Sequence, residues 1–187
     1  LKNSGINKIE DLKGKKVGYS VSGFETVLLD AMLKSANLSE KDVELVNVNF
    51  SLSPSLMSKQ VDAVIGAFRN FELNQLKLEK EEGKVFLPED YGVPKYDELI
   101  VVANKDTISQ AKYKNFVKSL QEATNYLKEN PEKSWEAFIS YKPKELDNEL
   151  NRLAWADTLP YLAANPAVFD KEVYNQMANF MKQNKLI

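Results

Sequence analysis

The chain has 187 residues, 43% of them hydrophobic, enough to bury a core without a disulfide or a metal ion. Its 25 basic and 27 acidic residues give a formal net charge of -2, so no basic field for nucleic acid or for an anionic membrane is expected. Cysteine and histidine are absent, which excludes thiolate catalysis, a Ser-His-Asp triad and the commonest zinc ligand within these residues. No catalytic residue, cofactor or metal site is therefore predicted.

The first half of the chain alternates between strand and helix patterns. Residues 9–15 predict a short helical turn and residues 16–20 the first strand. An amphipathic helix is expected over residues 22–37. Ser22 and Glu25 have the spacing of a capping box, which would satisfy two backbone N–H groups at the start of this helix.

Two more strands are predicted at residues 43–48 and 61–68. Between them, Ser53 as the N-cap and Pro54 at the first helical position predict a short helix. The third strand is almost entirely apolar, which is typical of a parallel strand covered on both faces. The pattern therefore predicts βαβ units.

Turn formers at residues 91–96 interrupt this alternation and suggest a hinge between two lobes. A helix at residues 71–82 and a fourth strand at residues 84–87 are expected before the hinge, and a strand at residues 98–103 after it. Beyond Asp106 the apolar spacing is helical, so this region has too few strands to build a sheet of its own.

The best local candidate for a ligand site is the strand-turn-helix at residues 19–25. Ligands of open α/β sheets bind beyond the carboxyl ends of the strands, where Ser20, Ser22 and Gly23 could donate hydrogen bonds. Alternatively, Ser22 and Glu25 only cap the helix and Gly23 only relieves crowding. Neither the dinucleotide fingerprint nor the P-loop motif is present.

A second candidate site follows the third strand, at residues 68–72. Two aromatic rings, an arginine, an amide and a carboxylate within five residues could stack a flat ring and bind its edge. The alternative interpretation is an ordinary surface helix start.

Segments 9–18, 61–64 and 99–102 resemble the NMT1/THI5-like group of periplasmic binding proteins, and the resemblance covers essentially the whole chain. It implies an α/β, type II periplasmic-binding-protein fold, with residues 1–93 as lobe two and residues 94–187 as the C-terminal part of lobe one. The family pattern has roughly 100 further residues upstream, which would supply the first strands of lobe one.

Segments 18–25, 66–72 and 91–98 most resemble the branch of that group that binds thiamine pyrimidine precursors. The resemblance implies an aminopyrimidine held between aromatic rings with a glutamate at the ring edge, a role that falls on Glu72. Sister branches that bind sulfonates, nitrate or riboflavin remain open. The predicted ligand-binding residues are Ser20, Ser22, Gly23, Phe24, Phe68, Asn70 and Glu72.

The function that follows is a substrate-binding protein of an ABC importer, with no enzymatic activity, in the periplasm or anchored outside the membrane. Its partners would be the small-molecule ligand and the permease. Helices that lack their sheet also favour exchange of elements between two copies, giving a domain-swapped homodimer. Two alternatives are a pyrimidine precursor synthase of thiamine biosynthesis and the effector-sensing domain of a LysR-type regulator.

Overall fold

The computed structural model describes residues 1–187, which form two compact units. The first unit comprises residues 1–96 together with residues 172–187, and the second comprises residues 97–171. Residues 172–187 therefore group with the first unit, whereas the sequence analysis grouped them with the rest of residues 94–187. The reason is packing, because Phe180 belongs to the same buried cluster as Leu29 and Leu33. The assignment of the units to lobes stays a prediction.

The regular elements follow one another in the order expected of βαβ units, with only helices after the third strand. In chain order they are 3-10 helix Ile9–Leu12, β1 (Lys16–Tyr19), α1 (Phe24–Ser35), 3-10 helix Glu40–Asp42, β2 (Glu44–Asn47), α2 (Leu52–Met57), β3 (Ala63–Val64), α3 (Glu72–Leu78), 3-10 helix Pro88–Asp90, α4 (Ala111–Glu129), α5 (Pro131–Tyr141), α6 (Pro143–Leu146), α7 (Glu149–Thr158), 3-10 helix Leu159–Tyr161 and α8 (Lys171–Gln183).

The three strands form one parallel sheet in the order β2-β1-β3. Apolar clusters cover both of its faces, since Val17 packs with α1 while Val48 and Val61 pack with α2 and α3. Alternation along β1 divides its residues between these faces. Gly18 faces the second cluster, where an added Cβ would lie 3.1 Å from methyl groups of both Val48 and Val64.

The strand order determines where this sheet can bind a ligand. From β1 the chain moves to β2 on one side, then crosses back to β3 on the other side of β1. The loops that leave β1 and β3 therefore lie at a topological switch point, which is where open α/β sheets usually bind their ligands. Both candidate segments from the sequence, residues 19–25 and 68–72, lie on these two loops.

Two predicted strands are wrong. Residues 84–87 and 98–103 have no strand pairing in the structure. Both segments favour extended backbone by composition, but a strand is stabilised by a neighbour that completes its hydrogen bonds. Leu99 and Val102 are 89% and 81% exposed, as expected for an apolar segment without such a neighbour.

The start of α2 also differs from the prediction. Ser51, not Ser53, precedes the helix, which begins at Leu52 and contains Pro54 in its first turn. Proline is tolerated there because the N–H groups of the first helical turn have no acceptor within the helix. The short helix itself is confirmed.

The second unit is mainly helical, as predicted. Trp135 and Phe138 of α5 and Trp155 of α7 form an aromatic cluster with centroid distances of 5.2–5.8 Å. Arg152 lies over the Trp135 ring and pairs with Glu132. No helix of the structure combines the length and apolar character needed to span a bilayer.

Candidate functional site

The candidate site lies on the loops that follow β1 and β3, at the switch point of the sheet. Glu25, in the first turn of α1, connects the two loops. Its Oε2 atom accepts hydrogen bonds from the backbone N–H groups of Ser20 at 2.7 Å and Val21 at 3.1 Å. The same carboxylate lies against Gly66 of the β3 loop, where an added Cβ would collide with it.

This arrangement corrects the predicted capping box. Gly23 is the N-cap of α1, with a φ of 88°, and Ser22 is exposed without a side-chain capping bond. The glycine conformation turns the chain so sharply that Glu25 reaches back beyond Ser22 to the end of β1. Glu25 is only 9% exposed, so it belongs to the loop's internal framework.

The bonds made by Glu25 also change the expected role of Ser20. Its backbone N–H is already donated to Glu25, so it does not serve as a free ligand donor. Its hydroxyl oxygen accepts the N–H of Phe50 at 3.2 Å, which leaves the hydroxyl hydrogen available for a ligand. Ser22 and Gly23 remain exposed at the mouth of the loop.

Phe24 has an aromatic partner that the sequence did not indicate. Its ring meets Tyr96 edge to face, with centroids 6.0 Å apart. Tyr96 ends the turn-rich segment predicted as a hinge and lies in the first unit. This contact therefore places an aromatic pair beside the loop after β1.

On the β3 loop the predicted residues are brought together by Glu72. Its Oε2 atom accepts the backbone N–H of Phe68 at 2.7 Å, which closes the loop onto the start of α3. Phe68 itself is 48% exposed. Asn70 uses its backbone carbonyl to accept the amide of Asn74 at 3.1 Å.

Glu72 is half-buried, and burial raises the pKa of its carboxyl group. The backbone N–H groups of Phe68 and of Glu72 itself oppose this rise by stabilising the ionised form. A carboxyl group of this kind can accept a hydrogen bond from an amino group and share a proton with a weakly basic ring nitrogen. The ligand-binding role of Glu72 and of the other six predicted residues stays a prediction.

Arg69 forms an ion pair within the protein, which would compete with a direct contact to a ligand. Its Nη2 atom lies 3.0 and 3.2 Å from the two carboxylate oxygens of Glu89, in the 3-10 helix Pro88–Asp90. Burial would raise the pKa of Glu89, but its own N–H and the Arg69 guanidinium outweigh burial and lower it. The pair ties the β3 loop to the segment that leads to Tyr96.

A groove of about 830 Å³ lies elsewhere, within the second unit. Its walls come from α4 and from residues 164–167, and it contains none of the predicted site residues. Because none of its lining residues belongs to the sheet or to the loops that follow its strands, we do not assign the predicted ligand to it.

Comparison with known proteins agrees with the sequence resemblance. Residues 1–134 match the family described as NMT1/THI5 like. The chain is 63% identical over its full length to a putative thiamine biosynthesis protein of Haemophilus influenzae, and spans 60% of that relative's length. It is 37% identical over 101 residues to a formylaminopyrimidine-binding protein of Halalkalibacterium halodurans, covering 54% of this chain and 31% of the relative.

A more distant relative is an enzyme. A 4-amino-5-hydroxymethyl-2-methylpyrimidine phosphate synthase of Saccharomyces cerevisiae is 26% identical over 180 residues, covering 88% of this chain and 52% of the relative. Among solved structures, the periplasmic aliphatic sulphonate-binding protein of Escherichia coli has a TM-score of 0.70 at 18% identity, covering 100% of this chain and 59% of that one. The predicted α/β, type II periplasmic-binding-protein fold is confirmed, and the chain belongs to the NMT1/THI5-like family.

Proposed function

We propose that this chain forms part of the ligand cleft of a solute-binding protein that takes up a thiamine pyrimidine precursor for an ABC importer. The ligand is an aminopyrimidine of the hydroxymethyl or formylaminomethyl type, and the protein has no catalytic role. It works in the periplasm or anchored on the outer side of the membrane, and passes its ligand to a permease. The names of the Haemophilus and Halalkalibacterium relatives support the pyrimidine branch.

The observation that carries this proposal is the pairing of Glu72 with Phe68 at the switch point. The half-buried carboxylate of Glu72 accepts the backbone N–H of Phe68 at 2.7 Å, and Phe68 itself is half-exposed on the same loop. The ring can stack on a pyrimidine face, while the carboxylate accepts the exocyclic amino group at the pyrimidine edge. The raised pKa of Glu72 suits proton sharing with a ring nitrogen.

The loop after β1 argues against an anionic ligand such as a sulfonate or phosphate. Backbone N–H groups at such a loop are the usual donors to anions. Here the N–H groups of Ser20 and Val21 already point at the Glu25 carboxylate. An incoming anion would have to compete with this internal carboxylate and would also meet its negative charge. A neutral or weakly basic ligand avoids both costs.

The synthase alternative has the support of the yeast relative. The described residues contain no histidine or cysteine for such chemistry, so any catalytic group of those types would have to come from outside this chain. Incubating the full-length protein with pyridoxal phosphate and iron tests the alternative directly. Formation of a pyrimidine would overturn the binding-protein proposal.

Native mass spectrometry of the full-length protein, followed by calorimetry, tests the proposed function. We expect a retained or added mass equal to an aminopyrimidine, and a saturable binding isotherm with 4-amino-5-hydroxymethyl-2-methylpyrimidine or its formylaminomethyl analogue. An alkanesulfonate is the matched control, because a structural neighbour binds sulphonates. Binding of the sulfonate but of neither pyrimidine would refute the pyrimidine assignment.

We propose in addition that two copies of the chain can exchange structural elements and form a domain-swapped homodimer. The apolar segment 98–103 supports this, since it is exposed and lacks a strand partner. Pairing with the same segment of another copy would satisfy its backbone groups.

A further inference from the structure

Glu25 is a buried carboxylate at the end of β1 that is held by backbone N–H groups rather than by a cation. It is 9% exposed, and it takes part in none of the salt bridges of the chain. A buried charge needs hydrogen bonds or an opposite charge to offset the loss of water. Here the hydrogen bonds come from the successive N–H groups of Ser20 and Val21, which converge on the single atom Oε2.

These two donors form the arrangement that proteins use to bind anions. Successive backbone N–H groups that point at one position attract a phosphate, sulfate or carboxylate oxygen. In this chain the position is filled by the protein's own side chain, which comes from the first turn of α1. The same carboxylate lies against Gly66, where an added Cβ would collide with both of its oxygens. Glu25 therefore occupies the place that a bound anion would take between the loops after β1 and β3.

The occupied donors affect ligands with and without an anionic group differently. A ligand phosphate that approached this loop would find the N–H groups of Ser20 and Val21 already donated and would meet a fixed negative charge. A hydroxymethyl group is uncharged, so the carboxylate does not repel it. The loop therefore disfavours the phosphate ester of a pyrimidine without disfavouring the parent alcohol.

We propose that Glu25 is a specificity-determining residue, through which the site selects the unphosphorylated pyrimidine and excludes its phosphate ester. The inference rests on the proposed function and deepens it by naming the substrate class within the aminopyrimidines. Glu25 acts through the N–H groups that it occupies, so its role requires no contact with the ligand that is accepted.

Calorimetry of the full-length protein tests this role with two compounds, 4-amino-5-hydroxymethyl-2-methylpyrimidine and its phosphate ester. The measured quantity is the ratio of the two affinities, because incomplete folding of a variant lowers the stoichiometry of binding rather than this ratio. We expect the wild type to bind the alcohol about tenfold or more tightly than the ester, since the ester meets a like charge and finds no free donors.

Two substitutions remove the charge of Glu25 in different ways. Glu25→Gln keeps the shape and an oxygen that can accept the N–H groups, so the preference for the alcohol should narrow. Glu25→Ala also frees the N–H groups of Ser20 and Val21, and the ester should gain about tenfold or more in affinity. Glu40→Gln is the matched control, because Glu40 is exposed in the 3-10 helix Glu40–Asp42, outside both loops. It should leave the ratio unchanged.

The outcomes separate this inference from the proposed function. If the wild type binds neither compound, the proposed function fails and the selective role of Glu25 fails with it. If the wild type binds the alcohol but both Glu25 variants keep the wild-type ratio, or if the wild type binds the ester equally well, only the role of Glu25 is refuted. Parallel loss of both compounds with a lower urea midpoint would make Glu25 a structural residue and would also refute the inference. Structural damage alone gives no gain in ester affinity, so that gain supports it.

Discussion

The carboxylate of Glu25 lies against Gly66, so the loop after β1 and the loop after β3 are in contact behind the candidate ligand site. Gly66 has a φ of 92°, and any Cβ there would occupy the space of the Glu25 carboxylate. The glycine is therefore required twice, once for its backbone conformation and once for its lack of a side chain.

Gly66→Ala should destabilise the chain by about 2 kcal/mol or more, combining left-handed strain with the collision. Gly5→Ala is the matched control, because Gly5 has a φ of 80° but nothing within 4 Å of an added Cβ. It should cost only about 1 kcal/mol. Urea unfolding measures both, and equal losses would show that the contact with Glu25 is unimportant.

Glu72→Gln in the full-length protein should weaken aminopyrimidine binding by about 1–3 kcal/mol, because it degrades a charge-assisted hydrogen bond in a half-buried site. Glu79→Gln, just beyond the same helix and exposed, is the control and should leave the affinity unchanged. Calorimetry compares the two. An unchanged affinity for Glu72→Gln would remove Glu72 from the site.

The same substitution should change the pH dependence of stability in a defined direction. Because the folded-state pKa of Glu72 is raised above its ordinary value of 4.5, the native state binds the proton more tightly than the unfolded chain. Ionised Glu72 thus opposes folding at high pH, and this cost disappears as the pH falls through the raised pKa towards 4.5. Glu72→Gln should be more stable than the wild type near pH 7, and the difference should shrink on acidification. Urea titrations across this range would contradict the assignment if the difference stayed constant.

The ion pair between Arg69 and Glu89 should contribute a coupling free energy of about 1 kcal/mol, because both side chains are partly shielded and the contact is made to both carboxylate oxygens. A double-mutant cycle with Arg69→Gln and Glu89→Gln measures it. The exposed pair of Lys118 and Glu122 in α4 is the reference, with an expected coupling of about 0.3 kcal/mol. Equal couplings would mean that the Arg69 pair does not anchor the β3 loop.

Charged substitutions in segment 98–103 should reduce self-association of the chain if two copies exchange or pair through it. Leu99→Lys and Val102→Lys place a charge on an exposed apolar edge and should shift sedimentation towards the monomer. Tyr141→Lys is the control, since Tyr141 is 80% exposed but lies in α5. Sedimentation that all three substitutions leave unchanged would contradict the exchange proposal.

The sheet could be predicted from the sequence because its strands carry local signals. β1 and β2 were predicted from runs of five and six residues, 16–20 and 43–48, and Gly14 marks the turn before β1. Segment 98–103 carries an equally good local signal and still forms no strand, because pairing depends on a neighbour that composition does not reveal.

The candidate site was predictable in position but less so in its internal bonds. The predicted strand ends located the loops that hold Ser20 and Phe68, because ligands of a parallel sheet bind beyond the carboxyl ends of its strands. The capping-box spacing suggested the wrong partner for Glu25, because its actual reach depends on the left-handed Gly23 and on space left by Gly66.

Gly18 has a consequence for how the strands align. Its missing side chain leaves a small volume that Val48 and Val64 fill from the loop after β2 and from β3. A slip of β1 by one residue would bring Val17 or Tyr19 to that face, where no room exists for either. Gly18 therefore fixes the register in which β1 pairs with its neighbours. The register in turn determines which residues of the three loops lie side by side at the edge where a ligand would bind.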